Sequence, residues 1–243
     1  MNLQSPKKFK MMVDQAHEVA LNVLRPISRK YDKAEHAYPK ELDMLASLID
    51  GMNEGGEGIN AGAAVGKRGE TETGNKNGNN MSTALGIIEM CYGDTGLLLS
   101  MPRQGLGNSA IAAVANDEQL ERFKGTWAAM AITEPGCGSD SAAIRTTATQ
   151  DGDEYILNGE KIFVTSGDRA DSVVVWATLD KKLGRAAIKS FVVPKGTAGM
   201  KVERLEHKLG IKASDTAVIS FIDCRVPAAN LLGNPEIDVA KGF

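Results

Sequence analysis

Residues 151–165, DGDEYILNGEKIFVT, decide the fold class. Asp151-Gly152 and Asn158-Gly159 are dipeptides suited to the positive φ of tight hairpin turns, and each is followed by β-branched and aromatic residues. Alternation along the second run puts Ile162 and Val164 on one face and Phe163 and Thr165 on the other. Similar short runs flank this stretch: WAAMAI and IRTTAT before it, SVVVWATL, SFVVP, MKVERLE and AVISFI after it. With EYILN and KIFVT taken separately, that makes eight candidate strands in about a hundred residues, with little helix between them. The pattern predicts an antiparallel barrel or sandwich rather than a parallel sheet.

Ahead of Trp127 the apolar period is helical. Ser5 and Pro6 mark a helix start, and Phe9, Met12, Val13, Ala16, Ala20, Val23 and Leu24 follow at three- and four-residue steps. Pro26 is expected to kink or end that helix. A second helix is expected after Pro39, with Leu42, Leu45, Leu48 and Ile49 on one face and a stop at Gly51. Residues 51–80 then dissolve into glycine and asparagine, with too little apolar surface to offset the entropy of ordering, which predicts a mobile insert. Helical character returns over Met81–Tyr92 and around Gly105–Ala115. Asn116 and Gln119 form a capping box that opens DEQLERFK, closed by Gly125. The fold class is therefore α+β: an N-terminal helical domain over residues 1–125, then a β-domain over residues 126–233.

Composition narrows the function. Lys plus Arg number 28 against 31 Asp plus Glu, a net charge of −3, so a partner held by bulk charge, such as a nucleic acid, is not expected. No apolar run approaches the roughly 20 residues of a bilayer-spanning helix, and no secretory signal is visible, so the expected setting is cytoplasmic, with no membrane partner. Cys91, Cys137 and Cys224 lie far apart and read as reduced structural thiols. His17, His36 and His207 are equally scattered, so no metal site is expected.

Three stretches carry chemistry. Ala131–Asp140, AITEPGCGSD, sets two hydroxyls and two carboxylates around Pro135, Gly136 and Gly138. Its glycines let backbone approach a ligand, and successive N–H groups in such a turn can cradle an anion, although Pro-Gly and Gly-Ser-Asp also occur in plain loops. Asn158–Gly167, NGEKIFVTSG, presents an aromatic ring and, two residues on, a hydroxyl, a pairing suited to a flat heterocycle or to a β-core. Lys208–Asp223, KLGIKASDTAVISFID, is a polar turn entering a strand, followed by Val226-Pro227 and Asn230-Leu231-Leu232-Gly233.

Taken in this order and spacing, TEPGCGSD at 133–140, the NGEK strand at 158–165, LGIKASDT at 209–216 and VPAANLLG at 226–233 resemble the acyl-CoA dehydrogenase family of flavoproteins. The resemblance implies FAD against the β-domain, with Met130, Ile132 and Thr133 along the pyrimidine side of the flavin and Gly138 and Ser139 near its pyrophosphate. Phe163, where the family often has Trp, would cover the ring; Val164 and Thr165 would border it, with the Thr165 hydroxyl at N5. Ser139 would also border the acyl-CoA substrate. The implied reaction is α,β-dehydrogenation of an acyl-CoA thioester in fatty-acid or related catabolism, with an electron-transfer flavoprotein as acceptor and a possible homo-oligomer as the assembly. In that family the catalytic base is a carboxylate on a C-terminal helical domain. Residues 234–243 resemble its beginning, so no residue here is nominated as base, and the chain is expected to be inactive alone. Glu134 is expected to be a structural turn residue. Same-fold acyl-CoA oxidases and flavin monooxygenases are the alternative chemistry, and a non-catalytic interaction module is the alternative class.

Overall fold

The computed structural model describes residues 7–54, 79–103 and 106–237. Most of the glycine- and asparagine-rich insert expected over 51–80 lies outside the described residues, and both of its ends are helical. The described chain falls into two compact units. One holds the residues up to Arg103 together with 207–214; the other holds Leu106 to Glu206 and the residues from Asp215 onward. The helices Leu106–Val114 and Asp117–Arg122, set among the N-terminal helices by the sequence pattern, thus group with the sheet.

In the first unit, α1 (Lys10–Val19) and α2 (Arg25–Lys33) join through a widened π turn at Ala20–Leu24. Pro26 therefore neither ends nor breaks this run. Its missing N–H falls in the first turn of α2, and the Arg25 N–H reaches back five residues to the Ala20 carbonyl. Helix α3 (Glu41–Glu54) runs past the expected stop at Gly51, and only part of its expected face is internal: Leu42, Leu45 and Ala46 are buried, whereas Leu48 is 61% exposed. Helix α4 (Asn79–Leu99) breaks at Asp94, whose extended backbone and side-chain acceptor for the Leu97 N–H at 2.8 Å restart it. Gly93 lets α4 lie against the π turn, since a Cβ there would sit 2.8 Å from the Ala20 carbonyl oxygen. Leu24, Tyr31, Met90, Leu97 and Met101 close this core, joined by Ala213 from the 207–214 segment.

The second unit is a curled seven-stranded sheet with two helices, α5 (Leu106–Val114) and α6 (Asp117–Arg122). Its strands are β1 (Ala128–Ala131), β2 (Thr147–Asp151), β3 (Glu154–Thr165), β4 (Ser172–Thr178), β5 (Ile188–Pro194), β6 (Met200–Leu205) and β7 (Thr216–Pro227). Most pairings are antiparallel, as the pattern predicts, but β4 runs parallel to both β1 and β2. The run SVVVWAT of β4 explains this: Val173 and Val175 join one apolar cluster and Val174 another, so the strand is covered on both faces.

Two sequence expectations merge here. EYILN and KIFVT form one twelve-residue strand, β3, and Asn158-Gly159 is not a hairpin turn. Gly159 instead sits at a bulge against β7. Its φ of +156° and lack of Cβ admit Thr146, whose Oγ1 would lie 2.4 Å from a Cβ at that position. Asp151-Gly152 does close the β2–β3 hairpin.

The capping box at α6 forms as expected. Gln119 does more than cap: its Oε1 also accepts from the Gly233 N–H at 3.1 Å, and its Nε2 donates to the carbonyls of Leu231 at 2.6 Å and Ala229 at 3.2 Å. Every polar atom of this buried amide is satisfied across more than a hundred residues of sequence. Gln119→Ala is expected to cost about 2 kcal/mol by stranding these groups, read as a lower urea midpoint with an unchanged slope.

Candidate functional site

The AITEPGCGSD stretch leaves β1 and turns sharply at Glu134–Cys137, where the two backbones exchange hydrogen bonds: the Glu134 N–H to the Cys137 carbonyl at 2.9 Å and the Cys137 N–H to the Glu134 carbonyl at 3.1 Å. The turn does not stand free. The Ile162 N–H donates to the Thr133 carbonyl at 2.9 Å, so Thr133 and the end of β3 lie side by side.

Beneath this junction is a buried ion pair. Lys161 is fully buried and Glu134 is 6% exposed, with Nζ to Oε1 at 2.8 Å. Lys161 also donates to the Ile132 carbonyl at 2.9 Å. The Glu134 carboxylate collects the Arg145 N–H at 2.6 Å, the Thr146 N–H at 2.9 Å and the Thr146 hydroxyl at 2.6 Å. Burial by itself would raise the Glu134 pKa, but the Lys161 ammonium, the Thr146 hydroxyl and two backbone N–H groups outweigh it and hold the carboxyl below its ordinary value. Burial draws the Lys161 ammonium down, against the pull of Glu134. With this donor set the pair is ionised. The expectation that Glu134 is structural fits this geometry, and Lys161, which the sequence reading passed over, is its partner. The available signal is that Lys161 stands in alternation with the buried Tyr155 and Leu157.

Above the pair the chain turns outward. Between Lys161 and Val164 the β3–β7 register slips, Ile162 and Phe163 facing Val218 alone, and Phe163 takes a φ of +57°. Such a conformation is costly for a bulky residue and persists only when its surroundings fix it. The slip changes the expected alternation: Lys161 and Val164 both point inward, while Phe163 stands 62% exposed. Ser166 follows at φ +59°, its N–H on the Asp215 carbonyl at 3.1 Å. The buried Asp215 carboxylate accepts from the Asp168 N–H at 3.0 Å and pairs with Arg169 at 3.4 Å, fixing the loop that leaves Thr165.

The nominated residues therefore divide. Thr133, Gly138 and Ser139 share one loop, with Gly138 against the Thr133 methyl, and this loop is bonded to β3 beside Phe163. Met130, Ile132 and Thr165 are half-buried around it. Val164 is fully buried in the sheet core, so only its main chain is left to meet a ligand. The hydroxyls of Thr133, Ser139 and Thr165 make no hydrogen bond to described residues, and neither do the backbone N–H groups of exposed Gly138 and Ser139. An open aromatic face with free hydroxyl and amide donors fits a flat heterocycle carrying phosphates. Burial first and the Glu134 charge second push the Cys137 thiol upward, away from the thiolate form.

Residues 129–224 match the family model described as "Acyl-CoA dehydrogenase, middle domain". The chain is 33% identical over 257 residues to the acryloyl-CoA reductase (NADH) of Anaerotignum propionicum, covering all of this chain and 59% of that protein. It is 31% identical over 251 residues to the short-chain specific acyl-CoA dehydrogenase of Clostridium acetobutylicum, covering all of this chain and 61% of the relative. The solved butyryl-CoA dehydrogenase from Megasphaera elsdenii superposes with a TM-score of 0.78 at 28% identity, over 96% of this chain and 60% of that one. The chain thus spans about three-fifths of the length of the relatives it matches.

Glu134→Gln is expected to destabilise the protein by about 3–5 kcal/mol at neutral pH, because it leaves the Lys161 ammonium buried without its counter-charge. A carboxyl with a depressed folded pKa contributes stability above its unfolded value of about 4.3 and loses it as pH falls through the folded value. Urea unfolding of both proteins across pH should therefore show a gap that is full at pH 6 and closes on acidification.

Proposed function

Because the chain belongs to the acyl-CoA dehydrogenase family, we propose that it is the flavin- and substrate-binding part of an enzyme that removes the α- and β-hydrogens of an acyl-CoA thioester. The observation that carries this reading is the Thr133 carbonyl accepting the Ile162 N–H, which joins a loop of free donors to an outward aromatic ring.

In this reading Phe163 covers one face of the flavin, Thr133 and Thr165 hold its polar edge, and Gly138 and Ser139 hold its phosphates, Ser139 also bordering the acyl-CoA. Met130, Ile132 and the main chain of Val164 complete the wall. Bound FAD would supply the two-electron acceptor for the β-hydrogen. The residues of this chain bind and orient, because fixed dipoles aimed at the reacting ring cost no reorganisation. They do not take the α-proton: Glu134 is saturated with donors and its pKa lies below that of an ordinary carboxyl, which makes it a poor base. That proton would pass to a carboxylate in the part of the relatives' length that this chain does not span. Electrons would leave to an electron-transfer flavoprotein. Hydride chemistry of this kind also runs in reverse, and the 33% identical relative named as an acryloyl-CoA reductase favours reduction of the Cα=Cβ bond of an α,β-unsaturated acyl-CoA as the second reading.

FAD titration of the purified chain, followed by flavin fluorescence, tests the binding half of the proposal. Saturable binding is expected, weakened about tenfold in Thr165→Val through loss of one hydrogen bond of about 1.4 kcal/mol. Circular dichroism should remain unchanged. A chain that takes up no FAD would overturn the reading in favour of a non-catalytic module, and fast reoxidation of the bound, reduced flavin by O2 would favour an oxidase.

A further inference from the structure

Behind α2 the fold gathers three groups that the sequence keeps far apart. Glu35 and His36 follow the helix, and His207 opens the 207–214 segment of the same unit. One ligand atom from each lies within 4.8 Å of the other two. The His36 and His207 rings are 5.1 Å apart at 58°, and His207 Nδ1 is 3.0 Å from Glu35 Oε2. Histidines read as scattered are therefore neighbours in space.

Two of these residues are held in position by contacts of their own. Glu35 Oε1 accepts the Lys208 N–H at 2.9 Å, fixing the carboxylate, and His36 sits at φ +69°. Both ring nitrogens of His36 are shut off from solvent, and neither has a hydrogen-bond partner among the described residues. An imidazole with both nitrogens buried and unbonded costs about 1–3 kcal/mol and calls for a ligand or an ion.

We propose that Glu35, His36 and His207 bind a divalent transition-metal ion of the zinc class, with solvent filling the remaining positions. Two imidazole nitrogens and one carboxylate oxygen are the donor set such ions take, leaving coordination sites open. Tetrahedral ligands about 2.1 Å from zinc stand about 3.4 Å apart, so the cluster must contract slightly. The His207 side chain, 84% exposed, is free to make that movement. The cation takes the place of the hydrogen between His207 Nδ1 and Glu35 Oε2, which moves to Nε2 or leaves to solvent. The Lys208 N–H on Glu35 Oε1 persists when the cation replaces that hydrogen, so the carboxylate keeps its orientation and offers Oε2. The Lys212 ammonium also acts on Glu35 and opposes a second positive charge, which limits the affinity.

Such an ion would staple the end of α2 to the 207–214 segment. That segment already reaches the turn after α4, where the Ser100 hydroxyl donates to the Ala213 carbonyl at 2.7 Å. The site does not depend on the flavin reading and would persist without it.

Calorimetric titration of the EDTA-treated full chain with zinc chloride, under reducing conditions, tests the proposal. One equivalent is expected to bind saturably and to raise the melting temperature. His207→Ala and His36→Ala should each weaken binding about tenfold or more, and His17→Ala, which removes a histidine paired with Glu89 elsewhere, should not. His207 is exposed, so its variant decides the matter even if His36→Ala folds poorly. Absence of saturable binding, or binding undiminished in His207→Ala, would overturn the site.

Discussion

Two opposite charges with almost no contact with water hold the site together. Removing Lys161 and Glu134 from solvent costs several kcal/mol for each ion, and mutual attraction alone seldom recovers it. What makes the pair tolerable is the company it keeps. The carboxylate receives four donors from the Arg145–Thr146 strand entry and from Lys161, and the ammonium reaches the Ile132 carbonyl as well. Three segments remote in sequence are thereby fixed at one point. The benefit is positional: the loop of Thr133 to Ser139 cannot drift from β3 while this pair is intact, and Gly159 is there because Thr146 needs the space a side chain would fill.

The bulge above the pair follows from the same constraint. Lys161 must point inward to meet Glu134, and Val164 must point inward to fill the core, yet strict alternation would send residues three apart to opposite faces. An extra residue in the register resolves the conflict and leaves Phe163 with a left-handed backbone and an outward ring. Strain at Phe163 and Ser166 is sustained because Asp215 and its partners fix the loop on the far side.

This explains what the sequence disclosed and what it withheld. The helical first half, the capping box at Asn116 and the β-rich second half were legible because they are written in local periodicity and turn chemistry. The nearness of the Thr133 loop to the NGEK strand was legible only through family resemblance, since nothing local in either stretch points to the other. Alternation alone does not show that Lys161 and Val164 both face inward, because the bulge between them is set by a partner strand more than fifty residues away. Asn158-Gly159 reads as a hairpin because glycine serves a bulge as readily as a turn. Pro26 reads as a helix end because the π turn that accommodates it leaves no mark in the sequence. His36 and His207 meet only through the tertiary fold.

The division of polar groups also bears on what the site can do. Buried ones, Glu134, Lys161, Asp215 and Gln119, are bound to protein partners and can hold shape but not transfer protons. The ones at the rim, Thr133, Ser139 and Thr165, have hydroxyls without a hydrogen-bond partner among the described residues. Hydroxyls titrate far from neutrality, so this rim can orient and polarise a ligand but cannot act as a base near pH 7. A surface of this make-up is suited to positioning a cofactor that carries its own reactivity. It also means that proton abstraction, if this protein takes part in it, must draw on a carboxylate less fully committed than Glu134.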